Sequence, residues 1–236
     1  MIIAKITGGL GNQLFQYAVG KAVADFHQVE LKLDITAYRT YTLHNGCRLD
    51  QFDIIADIAT DKEILQLKGP DGFFPKFLRK IGIFQKSSYY SERQRTIFDQ
   101  NVFSFFDRYL DGYWQNEQYF LGIREKLLVE LKSSNPISSN AIKYQNKINH
   151  TNSISLHVRR GDYLNHPEIG VLDVSYYQKA VKYLSVLVEN PVFFVFSNDL
   201  EWCHKNFDFI EGNCIFVENT ESEIDDLVLM SLCKHN

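Results

Sequence analysis

Between Ile154 and Tyr163 the chain reads ISLHVRRGDY, and its most specific chemistry gathers here. Ile154, Leu156 and Val158 alternate as a short β-strand would, and Arg159, Arg160, Gly161 and Asp162 occupy the turn that leaves it. In α/β proteins ligands bind in the crevice outside the carboxyl ends of the strands. A guanidinium placed there grips a phosphate through two parallel charge-assisted bonds, which an ammonium cannot do. The competing reading is a surface ion pair between Arg160 and Asp162, which contributes little. A second stretch, Thr7-Gly8-Gly9-Leu10-Gly11-Asn12-Gln13, follows the apolar run Ile2–Ile6. Its glycines let backbone N–H groups at a helix N-terminus approach a ligand, or else simply make a tight strand-to-helix turn. A third, Ser197-Asn198-Asp199, emerges from the apolar run VFFVF. Asn198 or Asp199 there could read the Watson–Crick edge of a base, and a carboxylate would select guanine.

Several chemistries are excluded by what is missing. The chain contains no HExxH, no CxxC, and no two aspartates two positions apart, so the DxD pair that holds a metal in many sugar-nucleotide transferases is absent. It also lacks the GxSxG elbow of hydrolases and the GxxxxGK[ST] phosphate loop. Gly9-x-Gly11 with Asp34 partly matches the dinucleotide fingerprint, but Leu14 stands at the third glycine position, where it would hinder close helix–strand packing. Without a metal, a diphosphate leaving group needs arginines and helix N-termini as prepositioned donors.

The elements that must position these residues follow from periodicity. The run Ile2–Ile6, apolar positions at helical spacing from Asn12 to Phe26, and a strand Val29–Leu33 make one βαβ unit in the first 34 residues. Further on, Gly69-Pro70-Asp71-Gly72 is a turn, and Phe73, Phe74, Phe77, Leu78 and Ile81 recur at helical spacing. Leu110–Glu117 is a compact aromatic and amide cluster, suited to stacking on a sugar ring or equally to a buried Tyr/Trp pair, and a helix is expected over Tyr119–Leu131. Ser133–Asn152 is polar and reads as an interdomain linker, with room for a short helix at Ala141–Ile148. Later, Ser175 with Gln178 would cap a helix reaching Val188, Val192–Phe196 and Cys214–Val217 are strands, and Ser222 with Asp225 would cap a last helix. The expected fold is α/β, with two Rossmann-like domains facing across a cleft: 1–132, a linker 133–152, and 153–236.

With 236 residues, 45% hydrophobic and a net charge of −4, the chain has ample core and is not a general nucleic-acid binder. Its four scattered cysteines suggest reduced thiols, and no leader or run of about 18 apolar residues stands out. A cytoplasmic protein with no membrane span is expected.

HVRRGDY (157–163), GGLGNQLFQYA (8–18), GYWQNEQYF (112–120), FSND (196–199) and LMSLCKHN (229–236) together resemble the bacterial α-1,2-fucosyltransferases of glycosyltransferase family 11. The HxRRxD motif is also similar to that of α-1,6- and protein O-fucosyltransferases. The resemblance implies a metal-independent, inverting transferase of GT-B architecture, with no cofactor, that moves fucose from GDP-fucose to a galactoside acceptor. It implies Arg159 on the donor diphosphate, with Arg160 beside it, His157 and Asn198/Asp199 on the guanosine, and Gly9, Gly11 and Asn12 facing the donor from the first domain. Asp162 and Glu168 are candidates for a base, although Asp162 could equally lock Arg160. No residue identifies the acceptor. The family's chains continue beyond LMSLCKHN into a further strand, loop and helix, so the resemblance implies a partial donor domain with an unpaired sheet edge. A non-catalytic GDP-sugar or glycan-binding remnant is therefore a second hypothesis. A nicotinamide-dependent oxidoreductase is a third, disfavoured by Leu14.

Overall fold

A computed structural model describes residues 1–40, 46–70, 87–165, 170–210 and 212–236. The expected turn and helical spacing at 71–81 lie outside the described residues, apart from Gly69 and Pro70. The chain divides into two compact units, Met1–Asn135 and Pro136–Asn236.

In the first unit the opening apolar run becomes β1 (Ile2–Lys5), with Ile2, Ile3 and Ala4 all buried, as a central parallel strand requires. It leads into helix α1 (Leu10–His27) and β2 (Leu31–Asp34), the βαβ unit expected from the periodicity. α1 lies close on the sheet at Gly20, where a Cβ would come within 2.8 Å of the Ala4 Cβ and 2.9 Å of a Leu31 methyl. Then come β3 (Asp57–Ile58), α2 (Asp61–Lys68, with a Thr60/Glu63 capping box), β4 (Tyr89–Ser91) and β5 (Arg108–Asp111). All pair in parallel in the order β3-β2-β1-β5-β4. The chain thus builds outward from β1 on one side and returns on the other, so the order reverses between β1 and β5. The helix expected over Tyr119–Leu131 is shorter: 3-10 turns at Glu117–Tyr119 and Leu121–Ile123 precede α3 (Arg124–Glu130).

The second unit begins inside the stretch read as a linker. Helix α4 (Ser139–Asn149) places Ala141 and Ile148 in a core, and Ser138 caps it through the Ala141 N–H. β6 (Asn152–Val158), α5 (Val174–Leu187), β7 (Pro191–Ser197), α6 (Leu200–Asn206), β8 (Cys214–Phe216) and α7 (Glu223–Leu232) follow. The strands form a parallel sheet in the order β6-β7-β8. Alternate residues of β7 serve opposite layers: Phe193 and Val195 pack with Tyr177, Val181 and Cys203, whereas Phe194 and Phe196 pack with Ala141, Ile148 and Leu229. Helices therefore cover both faces, as a parallel sheet demands. Ser222 caps α7 through the Asp225 N–H as expected. α5, however, is capped by Asp173, not Ser175: its carboxylate accepts from the Tyr176 N–H, and Ser175 donates to it from inside the helix. At the β6 edge, Lys234 N–H donates to the Ser153 carbonyl and Ser155 N–H to the His235 carbonyl, so residues 153–155 have a partner.

Candidate functional site

β6 and β7 run in register from Asn152/Pro191 to Val158/Ser197, so their carboxyl ends lie level. Ser197 Oγ donates to the Val158 carbonyl (2.8 Å) and accepts from the Asp199 N–H (2.9 Å), which clamps the two exits together. Asn198 Oδ1 accepts the Arg160 N–H at 3.0 Å. Gly161 lies so close that a Cβ there would overlap the Asn198 amide. Asp199 caps α6, accepting from the Trp202 N–H, and its other oxygen accepts from Arg160 Nε at 3.2 Å. The Arg160 guanidinium also lies 3.9 Å from the centre of the Trp202 ring. Arg160 is thus held between a carboxylate and an indole.

Arg159 follows the last residue of β6, and its charge acts on the ring of His157 two positions before it. Its guanidinium lies over the Tyr163 ring at 5.4 Å. His157 keeps an exposed edge, yet the protein crowding its ring and, secondly, the Arg159 charge hold its pKa below the ordinary imidazole value. The structure therefore brings His157, Arg159, Arg160, Asn198 and Asp199 to one strand end. The backbone of Asp162 enters a 3-10 turn, Gly161–Asn165, but its side chain and the whole of Glu168 lie outside the described residues.

Gly9, Gly11 and Asn12 belong to the first unit, at the reversal point between β1 and β5, where α/β sheets bind ligands. Gly8 is left-handed (φ 80°), and its carbonyl accepts from Tyr38 Oη (2.7 Å) and Gln13 Nε2 (3.0 Å). Gly9 caps α1 with no side chain, the first turn carries no acid, and nothing lies within 4 Å of where a Gly11 Cβ would be. That leaves an open helix N-terminus. Buried Gln16 joins the loops after β1 and β5: it accepts the Thr7 N–H at 2.8 Å and donates to the Gly112 carbonyl at 3.1 Å. Gln115 reaches the Asn12 amide oxygen at 2.9 Å.

Sequence reasoning did not single out Ser197, Trp202 or Gln16 for these roles. The only signal available for Trp202 was its place three residues after a capping aspartate. Of the cluster at Leu110–Glu117, the structure puts Trp114 in the core, 1% exposed, whereas Tyr113 is half-buried with the Arg95 guanidinium 4.6 Å from the centre of its ring. Among the described residues, no three His, Cys, Asp or Glu side chains gather as a metal would require, and no helix is long and apolar enough to cross a membrane.

Residues 79–236 match the model of glycosyl transferase family 11. The chain is 37% identical to an alpha-1,2-colitosyltransferase of Escherichia coli, over all of this chain and 82% of that protein. It is 28% identical to galactoside alpha-(1,2)-fucosyltransferase 2 of Hylobates lar, over 53% of this chain and 40% of the relative. Among solved structures, a mutant of Arabidopsis thaliana FUT1 in complex with GDP superposes with a TM-score of 0.52 at 12% identity, covering 98% of this chain and 64% of that one. The fold class is α/β and GT-B-like, as expected.

Proposed function

This chain belongs to glycosyltransferase family 11, and from that premise we propose that it transfers fucose from GDP-fucose to O2 of a galactose-containing glycan, with inversion at the anomeric carbon. The observation that carries this reading is Arg159, set on the turn leaving β6 beside His157 while Arg160 is fixed by Asp199 and Trp202. The relatives' names support the α-1,2 linkage and, for the Hylobates lar enzyme, the galactoside acceptor. GDP in the FUT1 complex supports the nucleotide.

In this mechanism C1 of the fucose gains oxocarbenium character as its bond to the diphosphate lengthens. Arg159 opposes the charge growing on the departing GDP, which is electrostatic stabilisation by a prepositioned donor. A lowered pKa keeps His157 neutral near pH 7, so its ring both donates and accepts toward the guanosine. Asn198 and Asp199 contact the nucleotide from the same strand end while bracing the Arg160 turn. Gly9, Gly11 and Asn12 offer the amide-rich N-terminus of α1 to the donor. Asp162 takes the proton of the attacking hydroxyl. No metal is required, and the free thiols of Cys47, Cys203, Cys214 and Cys233 suit a cytoplasmic setting.

Identity to a colitosyltransferase favours a second donor, since colitose is fucose without its 3-hydroxyl. The two separate when the protein is given GDP-fucose or GDP-colitose with lactose and GDP release is measured. Preference for GDP-colitose would replace the fucosyl reading. Calorimetric binding of the donor without turnover would favour a non-catalytic remnant. Arg159→Ala should lower transfer at least about a hundredfold with an unchanged melting temperature. Near-normal turnover in that variant would sink the assignment.

A further inference from the structure

The first unit holds a cavity of about 440 Å³, within the range of small-ligand sites, that the donor chemistry does not use. Most of its wall is the contiguous stretch 92–101, which leaves the carboxyl end of β4. Because the sheet is parallel, this is the same end as the Gly8–Asn12 turn.

The floor is aromatic, and of its three rings only Phe98 is more than marginally exposed. Phe98 is half-buried with its ring 4.9 Å from that of Tyr119, which meets Trp114 edge-on at 5.5 Å. Two carboxylates are fixed in the wall. Glu92 accepts the N–H groups of Tyr113 (2.7 Å) and Trp114 (3.0 Å), and Asp99 accepts from Tyr90 Oη and from the Asn101 N–H and amide. At the rim, the amides of Gln94 and Gln100 are exposed and have no partner among the described residues. Thr96 (φ 66°) and Trp114 (φ 57°), a β-branched and a bulky residue, are both left-handed beside the cavity, and Asn116 Nδ2 holds the Thr96 carbonyl at 2.8 Å. Such strain persists only where the surroundings impose it, and it concentrates at ligand sites.

Charge decides what kind of ligand fits. Glu92 and Asp99 outnumber Arg93 in the wall, so a diphosphate is disfavoured. An apolar ring, planar amides and fixed carboxylate acceptors suit a neutral ligand rich in hydroxyls. We infer that this cavity is the acceptor subsite: it takes a neutral, galactose-terminated glycan, with Phe98 as its apolar platform and Gln94 and Gln100 reading hydroxyls. The inference rests on the transfer reading above, in which a second, uncharged substrate must bind.

The test is the double variant Gln94→Ala/Gln100→Ala, both side chains being exposed and unneeded for packing, with Phe98→Leu as a second variant. In the double variant the KM for lactose should rise about tenfold, the loss of one or two hydrogen bonds. The KM for GDP-fucose and the acceptor-independent release of GDP should stay at wild-type values. An unchanged lactose KM overturns the subsite. If the wild type turns over no sugar nucleotide, the transfer reading fails by itself, and saturation-transfer NMR with methyl β-D-galactoside decides the cavity. Signal lost in the double variant upholds it. Equal signal in both proteins, or none from the wild type, overturns it.

Discussion

Arg159 meets a diphosphate usefully only if the turn that carries it holds still, and its neighbour Arg160 supplies that stillness. The Arg160 side chain is gripped by Asp199 and Trp202 and its N–H by Asn198, so the turn is tied to β7 and to the cap of α6. Sequence alone placed Asn198 and Asp199 at a strand end and offered them to a base, but their bonds to Arg160 depend on how β6 and β7 register, which no local pattern encodes. His157 carries a prediction of its own. Its folded pKa lies below about 6.5, so between the two values the unfolded chain binds the extra proton. The stability it contributes is present above the unfolded pKa and is lost as pH falls through the folded one. His157→Gln should therefore show a shallower fall in melting temperature than wild type as pH drops from about 7 to 5. Parallel melting curves for the two proteins would contradict this account.

At the scale of elements, α1 shows how a helix can meet a sheet closely without the third glycine of a dinucleotide fingerprint. Leu14 packs partly buried against the core, and the close approach moves to Gly20, against Ala4 and Leu31. The helix and both flanking strands were legible from periodicity because apolar spacing is a local signal. Gly20 was not, because its neighbour Leu31 belongs to the next strand. Gly20→Val should destabilise the protein by about 1–3 kcal/mol, read as a lower urea midpoint at constant slope. An unchanged midpoint would mean that helix and sheet have room to part. The short strands β3, β4 and β5 escaped a sequence reading for the converse reason: β3 and β4 are two and three residues long, β5 begins and ends on the charged residues Arg108 and Asp111, and their order is set by pairing.

At the scale of the molecule, each unit builds its candidate site where parallel strands end, and no cluster of metal ligands accompanies either among the described residues. If arginine and helix N-terminus suffice, GDP release from GDP-fucose with lactose should proceed at full rate in a chelator. A rate lost in chelator and restored by magnesium or manganese would show that Arg159 needs a partner ion. The division of the chain was only partly legible: a short helix could be read at Ala141–Ile148, but not that it belongs to the second unit, because Ala141 and Ile148 are buried against partners distant in sequence. One feature of the first unit bears on how such enzymes diversify. Eight of the ten residues lining the acceptor cavity fall within the unbroken run 92–101, bracketed by Glu92 at one end and by the Asp99–Asn101 turn at the other. A segment that carries most of a recognition surface between two internal anchors behaves as a cassette. Transplanting it between relatives would exchange glycan preference in one step and leave the sugar-nucleotide chemistry where it is.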